Sequence, residues 1–356
     1  MKEDSWERRY FAASNSGTGF VNYFPRIFGG GACRRLFVVK GGPGTGKSSF
    51  MKRMGEMAKE NGYDVTYYLC SSDPSSLDGL LIDGLSVGLV DGTSPHTWEP
   101  MSIGAFEQLV DLGAFWNEDA LLKRRQEIDA LAVEKRASYG RVYRYLEAIR
   151  AVKMAWESEA QSVLDTEKLS RAAERILLRY APPPSKQYRE TVGLYDSIGM
   201  AGRARLDTYR QAASSYFPIE DLGDTAHLLL SRLYDLCCAR GISVRISYHP
   251  ILPHRIDGLE LLDNGVVFAV CDEEANEDAI RMRRFVRSES YRALRASYRE
   301  GNAACRRLTA MAEKEFLSVR SCHFRLEEIF GETMDFSAKE RFERSFAEKL
   351  FSIERY

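Results

Sequence analysis

The chain lacks an excess of charge of either sign: 50 Lys and Arg stand against 51 Asp and Glu, a formal net charge of −1. Partners held by bulk electrostatics, such as nucleic acids or anionic membrane surfaces, call for a positive surplus. Neither is therefore expected, and any charged ligand must be met by a local site. The sequence also lacks an apolar run of the ~18–20 residues that a membrane span requires. Its first residues, MKEDSWERRYFAAS, hold no apolar stretch behind their charges, which argues against a secretory leader. The cysteines Cys33, Cys70, Cys237, Cys238, Cys271, Cys305 and Cys322 are odd in number and include no C-x-x-C pair or metal-site spacing. They read as small core residues in a reducing compartment, and the expectation is a cytoplasmic protein with no membrane contact.

What is present is length and punctuation. At 356 residues the chain suits about two domains of ~150 residues, each able to bury a core. One segment, KGGPGTGKSSFMK at residues 40–52, follows the apolar run RLFVVK and leads into a helical pattern with Phe50, Met51, Met54, Met57 and Ala58 on one face and an Asn61-Gly62 stop. Strand, glycine loop and helix are the context of a phosphate-binding loop, and Gly41, Gly46, Lys47 and Ser48 match G-x-x-x-x-G-K-S/T. Glycines at 42, 44 and 46 let backbone N–H groups turn inward and approach phosphate oxygens, with the positive end of the helix dipole behind them. The contacts to a nucleoside triphosphate are assigned to Gly42, Pro43, Gly44, Thr45, Gly46, Lys47, Ser48 and Ser49. Lys47 reaches the β and γ phosphates and the Ser48 hydroxyl completes a Mg²⁺ shell.

Two further strands are predicted at 64–70 (DVTYYLC) and 85–91 (LSVGLVD), so that crossovers between them imply a parallel sheet with its loops at the C-terminal edge. Asp91 ends the later strand and is the candidate to hold Mg²⁺ with Ser48, although Asp91-Gly92 also suits a turn. Asp73 and Asp78, beyond the earlier strand, are candidates to orient water or take a proton, and DPSSLDG is equally good turn chemistry. His96 is a weaker candidate for phosphate or metal. The stretch SNSGTGFVNYF at 14–24 reads as a polar loop running into a helix.

The second half echoes the first. Gly62, Pro74, Asp78 and Gly79 meet Gly241, Pro253, Asp257 and Gly258 at one constant offset of 179 residues, and Val65 meets Val244. Carried back, the offset sets Gly223, Asp224, Thr225, Ala226 and His227 against Gly44, Thr45, Gly46, Lys47 and Ser48. The lysine and most glycines are gone, and Glu220, Asp221 and Asp224 stand where a polyphosphate would lie, so ATP is not expected there. The expectation is an internal duplication with a degenerate second module. His249, His254 and Asp257 match no common zinc spacing.

Long charged stretches at 118–180 and about 276–350 read as helices. Ile128, Leu131, Ser138, Val142, Tyr145, Ile149, Val152 and Trp156 fall at the three- and four-residue steps of a helix-packing seam. APPPS at 181–185 ends the first stretch. The implied organisation is a nucleotide-binding module at 1–117, a helical hairpin at 118–180, a linker at 181–192, a degenerate module at 193–275 and a helical segment at 276–356. The arginine-rich stretch 281–300 reads as a solvated face paired with Glu289 and Glu300, with binding of nucleic acid or phosphates, or supply of an arginine to the first loop, as its alternatives.

With FAASNSGTGFVNYF, KGGPGTGKSSFMK, CSSDPSSLDGLLI and VDGTSPH, the chain resembles a little-characterised family of bacterial tandem P-loop ATP-binding proteins of Firmicutes type, often described as ATPases. The resemblance implies an α/β fold of two related modules, nucleotide contacts at Gly44, Gly46, Lys47 and Ser48, and Asp91 on the metal side. It departs at LGDTAHL, where such proteins carry a second intact loop. The reading is a slow Mg-dependent ATPase with one site, in which Lys47 and Asp91 act on the phosphates, Asp73 orients water and motion of the helices is the output. Its competitors are a small-molecule kinase with residues 120–150 as a lid, and a non-hydrolysing sensor whose second loop or helices dock a protein partner. The absence of an NKxD-like base reader favours adenine.

Overall fold

The computed structural model describes residues 7–271, 279–287 and 291–352, with the side chains of 291–294 outside that description. The expected module boundary at 275–276, and Glu289 of the arginine-rich stretch, lie outside the described residues.

The first half contains β1 (Glu7–Phe11), β2 (Ala13–Ser16), β3 (Gly19–Asn22), α1 (Phe24–Phe28), β4 (Arg35–Lys40), α2 (Lys47–Glu60), β5 (Val65–Leu69), β6 (Leu77–Ile82), β7 (Val87–Asp91) and β8 (Glu107–Asp111). It continues into α3 (Glu118–Lys123), α4 (Arg125–Val163) and α5 (Thr166–Tyr180). The second half contains β9 (Glu190–Val192), β10 (Asp196–Gly199), β11 (Gly202–Arg205), α6 (Thr208–Gln211), β12 (Ser215–Glu220), α7 (Ala226–Ala239), β13 (Val244–Tyr248), β14 (Ile256–Leu261), β15 (Val266–Cys271) and β16 (Ile280–Arg281). The helices α8 (Tyr291–Gly331) and α9 (Phe336–Phe351) follow.

The architecture is mixed α/β with two six-stranded, mostly parallel sheets, ordered β1-β5-β6-β7-β4-β8 and β9-β13-β14-β15-β12-β16. Each strand of one sheet has a counterpart of the same sense in the other. The expected all-parallel arrangement fails at β6 and β14, which run antiparallel to both neighbours. The reason is chain length. The connections on either side of β6 span residues 70–76 and 83–86, whereas a parallel crossover takes a dozen or more. The segment 14–24, read as a loop, is instead the β2–β3 hairpin followed by α1.

Strand β4, which precedes the glycine-rich loop, is buried along Leu36–Val39, and its β-branched and aromatic side chains suit a strand covered on both faces. Helix α2 packs Phe50, Met51, Met54 and Ala58 onto the first sheet and ends at Asn61 and Gly62, whose φ of 79° supplies the left-handed turn that closes the helix. The two sheets meet where Phe11 and Leu194 exchange backbone hydrogen bonds of 2.9 Å in both directions. Beside this junction Arg245 is buried, donating at 2.6 Å to both Glu260 and Tyr10.

Helices α4 and α8 pack along one another. Val142, Leu146, Ile149 and Trp156 of α4 form one core with Cys305, Ala312, Phe316 and Val319 of α8. The predicted seam is therefore buried at Ser138, Val142, Ile149 and Trp156. Gly301 is required where the Trp156 ring seats, since a Cβ there would lie 1.9 Å from the indole.

The terminal helices cross over. Helix α5, which ends the first half, buries Leu169, Ala172, Ala173 and Leu177 in the core of the second sheet. Helix α9, which ends the second half, buries Phe346, Ala347 and Leu350 in the core of the first. Both are tied in the same way. Asp165 donates its amide to Phe285 O and caps α5 through Lys168 N, while Asp335 donates to Phe115 O and caps α9 through Ala338 N.

Phe346 packs edge-on to Phe37 of β4 and Phe50 of α2, with centroids 4.9 and 5.1 Å away. Phe346→Ala is therefore expected to destabilise the first sheet by ~3–5 kcal/mol. Hydrogen exchange should show the loss of protection in β4 and α2, although the mutated residue belongs to the last helix.

Candidate functional site

Strand β4 ends at the loop Gly41–Gly46, and α2 begins at Lys47 with Gly46 as its N-cap residue. Gly44 and Gly46 have φ of 71° and 76°, the left-handed conformation in which glycine carries no Cβ penalty. Thr45 is buried and donates its hydroxyl to Gly42 O at 2.9 Å; Ser49 does the same to Gly46 O. Lys47 folds back over the loop, its Nζ donating to Gly41 O at 2.9 Å and Gly42 O at 3.0 Å. Pro43 lies within the loop's turn between these glycines.

Asp91 sits at the C-terminal end of β7, the parallel neighbour of β4. Its Oδ2 lies 3.6 Å from Lys47 Nζ, and its Oδ1 accepts the Thr93 amide at 2.8 Å and the Thr93 hydroxyl. The Ser48 hydroxyl accepts the Leu77 amide at 2.9 Å. Lys47, Ser48 and Asp91 thus gather at one sheet edge. Asp73 is arranged differently: its carboxylate accepts from Ser75 N, Ser75 Oγ and Ser76 Oγ at 2.7–3.1 Å within its own turn.

The helices lie directly on this loop. A Cβ at Gly44 would stand 2.2 Å from Glu327 O of α8, one at Gly42 would stand 3.1 Å from Phe330, and one at Gly46 would stand 2.9 Å from Lys339 Nζ of α9. Lys339 is buried and pairs with Glu343 at 2.5 Å. Lys135 of α4 meets His323 at 3.0 Å, and burial pulls its pKa down, with the charge of Lys47 acting in the same direction. These lysines carry no local motif. Lys339 reaches the loop only because α9 packs over it, which periodicity alone does not disclose.

The counterpart loop of the second sheet follows β12. Here the carboxylate of Asp221 turns into the loop, accepting the Ala226 amide at 2.7 Å and the Asp224 amide at 2.9 Å. The first amide of α7 and one amide of the loop before it thereby receive a carboxylate from the chain itself, the role a phosphate fills in a glycine loop. Asp224 Oδ1 pairs with Lys153 of α4 at 2.7 Å. Burial, and then the neighbouring Asp224, push the Asp221 pKa up to about 6.

A cavity of about 590 Å³ opens beside this loop, lined among others by Lys153, His227, His249, Arg255 and Asp257. Burial pushes His227 down to about 4 against the pull of Glu157, whose carboxylate is 2.7 Å away. His249 Nδ1 accepts the amides of Ile251 and Leu252 at 3.1 and 3.2 Å. Burial holds this imidazole well below its ordinary range, so it is neutral and carries its proton on Nε2. Arg281 of the arginine-rich stretch is spent on Glu220 at 3.1 Å.

Comparison with known proteins gives no match: no family model fits the chain, and neither curated proteins nor solved structures show significant similarity to it.

Asp221 yields a pH prediction. Its folded pKa of about 6 lies above the ordinary 3.8, so the folded state holds the proton more tightly. That contribution to stability is complete below the unfolded pKa and is lost as pH rises through about 6. Denaturant titrations between pH ~4 and ~7 should show wild type losing stability over this window relative to Asp221→Asn, which does not titrate.

Proposed function

We propose that the chain is a tandem P-loop protein of the bacterial family it resembles, binding Mg·ATP at the Gly41–Ser48 loop and hydrolysing it slowly. The observation that carries this reading is the contrast between the two loops. One presents glycines and a lysine beside Asp91; the other, which has no lysine there, turns the Asp221 carboxylate onto the Asp224 amide and the first amide of α7. The common strand order and the 179-residue offset support an ancestral duplication in which the second module has lost nucleotide binding.

In this reading the loop amides and Lys47 bind the phosphates, with Lys47 exchanging the carbonyls of Gly41 and Gly42 for phosphate oxygens. Ser48 and Asp91 offer hard oxygen donors, the kind that suits Mg²⁺, and they would hold an ion that neutralises charge on the β and γ phosphates. Asp73 can orient water only by releasing Ser75 and Ser76.

One contact favours the sensor alternative. The Glu327 carbonyl, in the C-terminal part of α8, lies against Gly44, and the negative end of a helix dipole disfavours an adjacent polyphosphate. ATP binding is therefore coupled to displacement of the last turn of α8, which transmits occupancy along the α4–α8 pair whether or not hydrolysis follows.

Nucleotide titration and phosphate-release assays on the purified chain decide between them. Lys47→Ala removes a charge partner worth ~2–5 kcal/mol, so ATP affinity should fall by about 30-fold or more. Adding Ala226→Lys to that variant should restore nothing, because Asp221 still fills the second loop. Unchanged binding in Lys47→Ala would refute the assignment, and tight binding without phosphate release in wild type would select the sensor.

A further inference from the structure

Three side chains that the nucleotide reading leaves unused converge beneath the same sheet edge. Cys70 follows β5, Asp78 lies in β6 and His96 lies in the loop after β7. Their ligand atoms, Sγ, a carboxylate oxygen and an imidazole nitrogen, all fall within 4.8 Å of one another. Asp78 and His96 are 2% and 6% exposed, and His96 Nε2 is 3.4 Å from Asp78 Oδ1.

The packing explains the convergence. The antiparallel β5–β6 pair shifts register between Tyr68 and Leu69, so the end of β5 is brought against the start of β6. The imidazole is fixed by Phe20 edge-on at 4.8 Å and by Phe24 stacked at 5.7 Å. The Asp78 carboxylate interacts with the Cys70 thiol and the Ser71 backbone, yet its Oδ2 and His96 Nδ1 are buried with no hydrogen-bond partner. A buried carboxylate with an unsatisfied oxygen is destabilising unless something positive meets it.

The geometry points to a transition-metal site of zinc type, held by Cys70, Asp78 and His96, three side chains that leave the fourth position of a tetrahedral ion to another donor. Thiolate, imidazole and carboxylate together select Zn²⁺ or Co²⁺ over Mg²⁺, which is held by oxygen donors. Three protein ligands with a free position is the arrangement of sites that bind water or a substrate atom. Binding deprotonates the Cys70 thiol and releases one proton to solvent. In the apo protein, burial holds that thiol well above its ordinary pKa, as it raises Asp78. The site is separate from the oxygen donors assigned to Mg²⁺, and its test needs no nucleotide.

The full-length chain, stripped with chelator and titrated with Co²⁺, should bind one equivalent and develop a near-ultraviolet thiolate charge-transfer band with intense tetrahedral visible bands. Zn²⁺ should displace it, and millimolar Mg²⁺ should not. Cys70→Ser should abolish the charge-transfer band. His96→Gln should weaken binding by more than the ~10–100-fold that loss of an outer-shell partner costs. Circular dichroism establishes that each variant is folded, and a zinc-induced rise in Tm of wild type that is absent from Asp78→Asn gives an independent readout. Failure of wild type to take up Co²⁺, displacement by Mg²⁺, or the same band in Cys70→Ser would overturn the proposal.

Discussion

The first amides of a helix that follows a strand through a tight loop must find an acceptor, and this requirement governs both halves of the molecule. At α7 the chain provides its own, the Asp221 carboxylate. At α2 the loop is built of glycines around Lys47, whose ammonium turns back onto the carbonyls of Gly41 and Gly42, and no carboxylate of the loop takes the corresponding place. The backbone plan is shared, and a few side chains determine whether the cradle is occupied internally.

The helices turn this local difference into a property of the whole chain. Glu327 O rests against Gly44 at one end of α8, while Cys305, Ala312 and Phe316 of the same helix pack against α4. Lys153 of α4 pairs with Asp224 of the second loop. The two loops are therefore linked through one packed helical pair, and a displacement at either bears on the same seam.

Much of this was legible in the residues. RLFVVK and its following glycines announce β4, its loop and α2, because a buried strand, left-handed positions and an apolar helix face each have a local cause. The β2–β3 hairpin was read as a loop because its Ser14, Asn15 and Ser16 are polar yet buried. Asn15 is satisfied only from afar, by Ile198 O at 2.8 Å and the Tyr143 hydroxyl at 3.0 Å. The acidic residues of the second loop were read as repelling a polyphosphate, and their geometry adds that Asp221 takes the anion's position. The approach of Cys70 to Asp78 and His96 was not legible, because the three come from separate elements and sequence spacing carries no record of it. Periodicity likewise marked an apolar face on α5 and α9 without indicating whose core it enters.

The exchange of α5 and α9 also bears on how the polypeptide is made. During synthesis the first sheet emerges early, but Phe346, which seals Phe37 and Phe50, leaves the ribosome only after the whole second sheet. Until then the apolar surface of the nascent first half stays open, while the second half receives its α5 cover before its own sheet has been translated. Sealing of the first sheet is thus timed by the synthesis of α9, and a chain interrupted before that helix would present an unsealed core to chaperones and proteases.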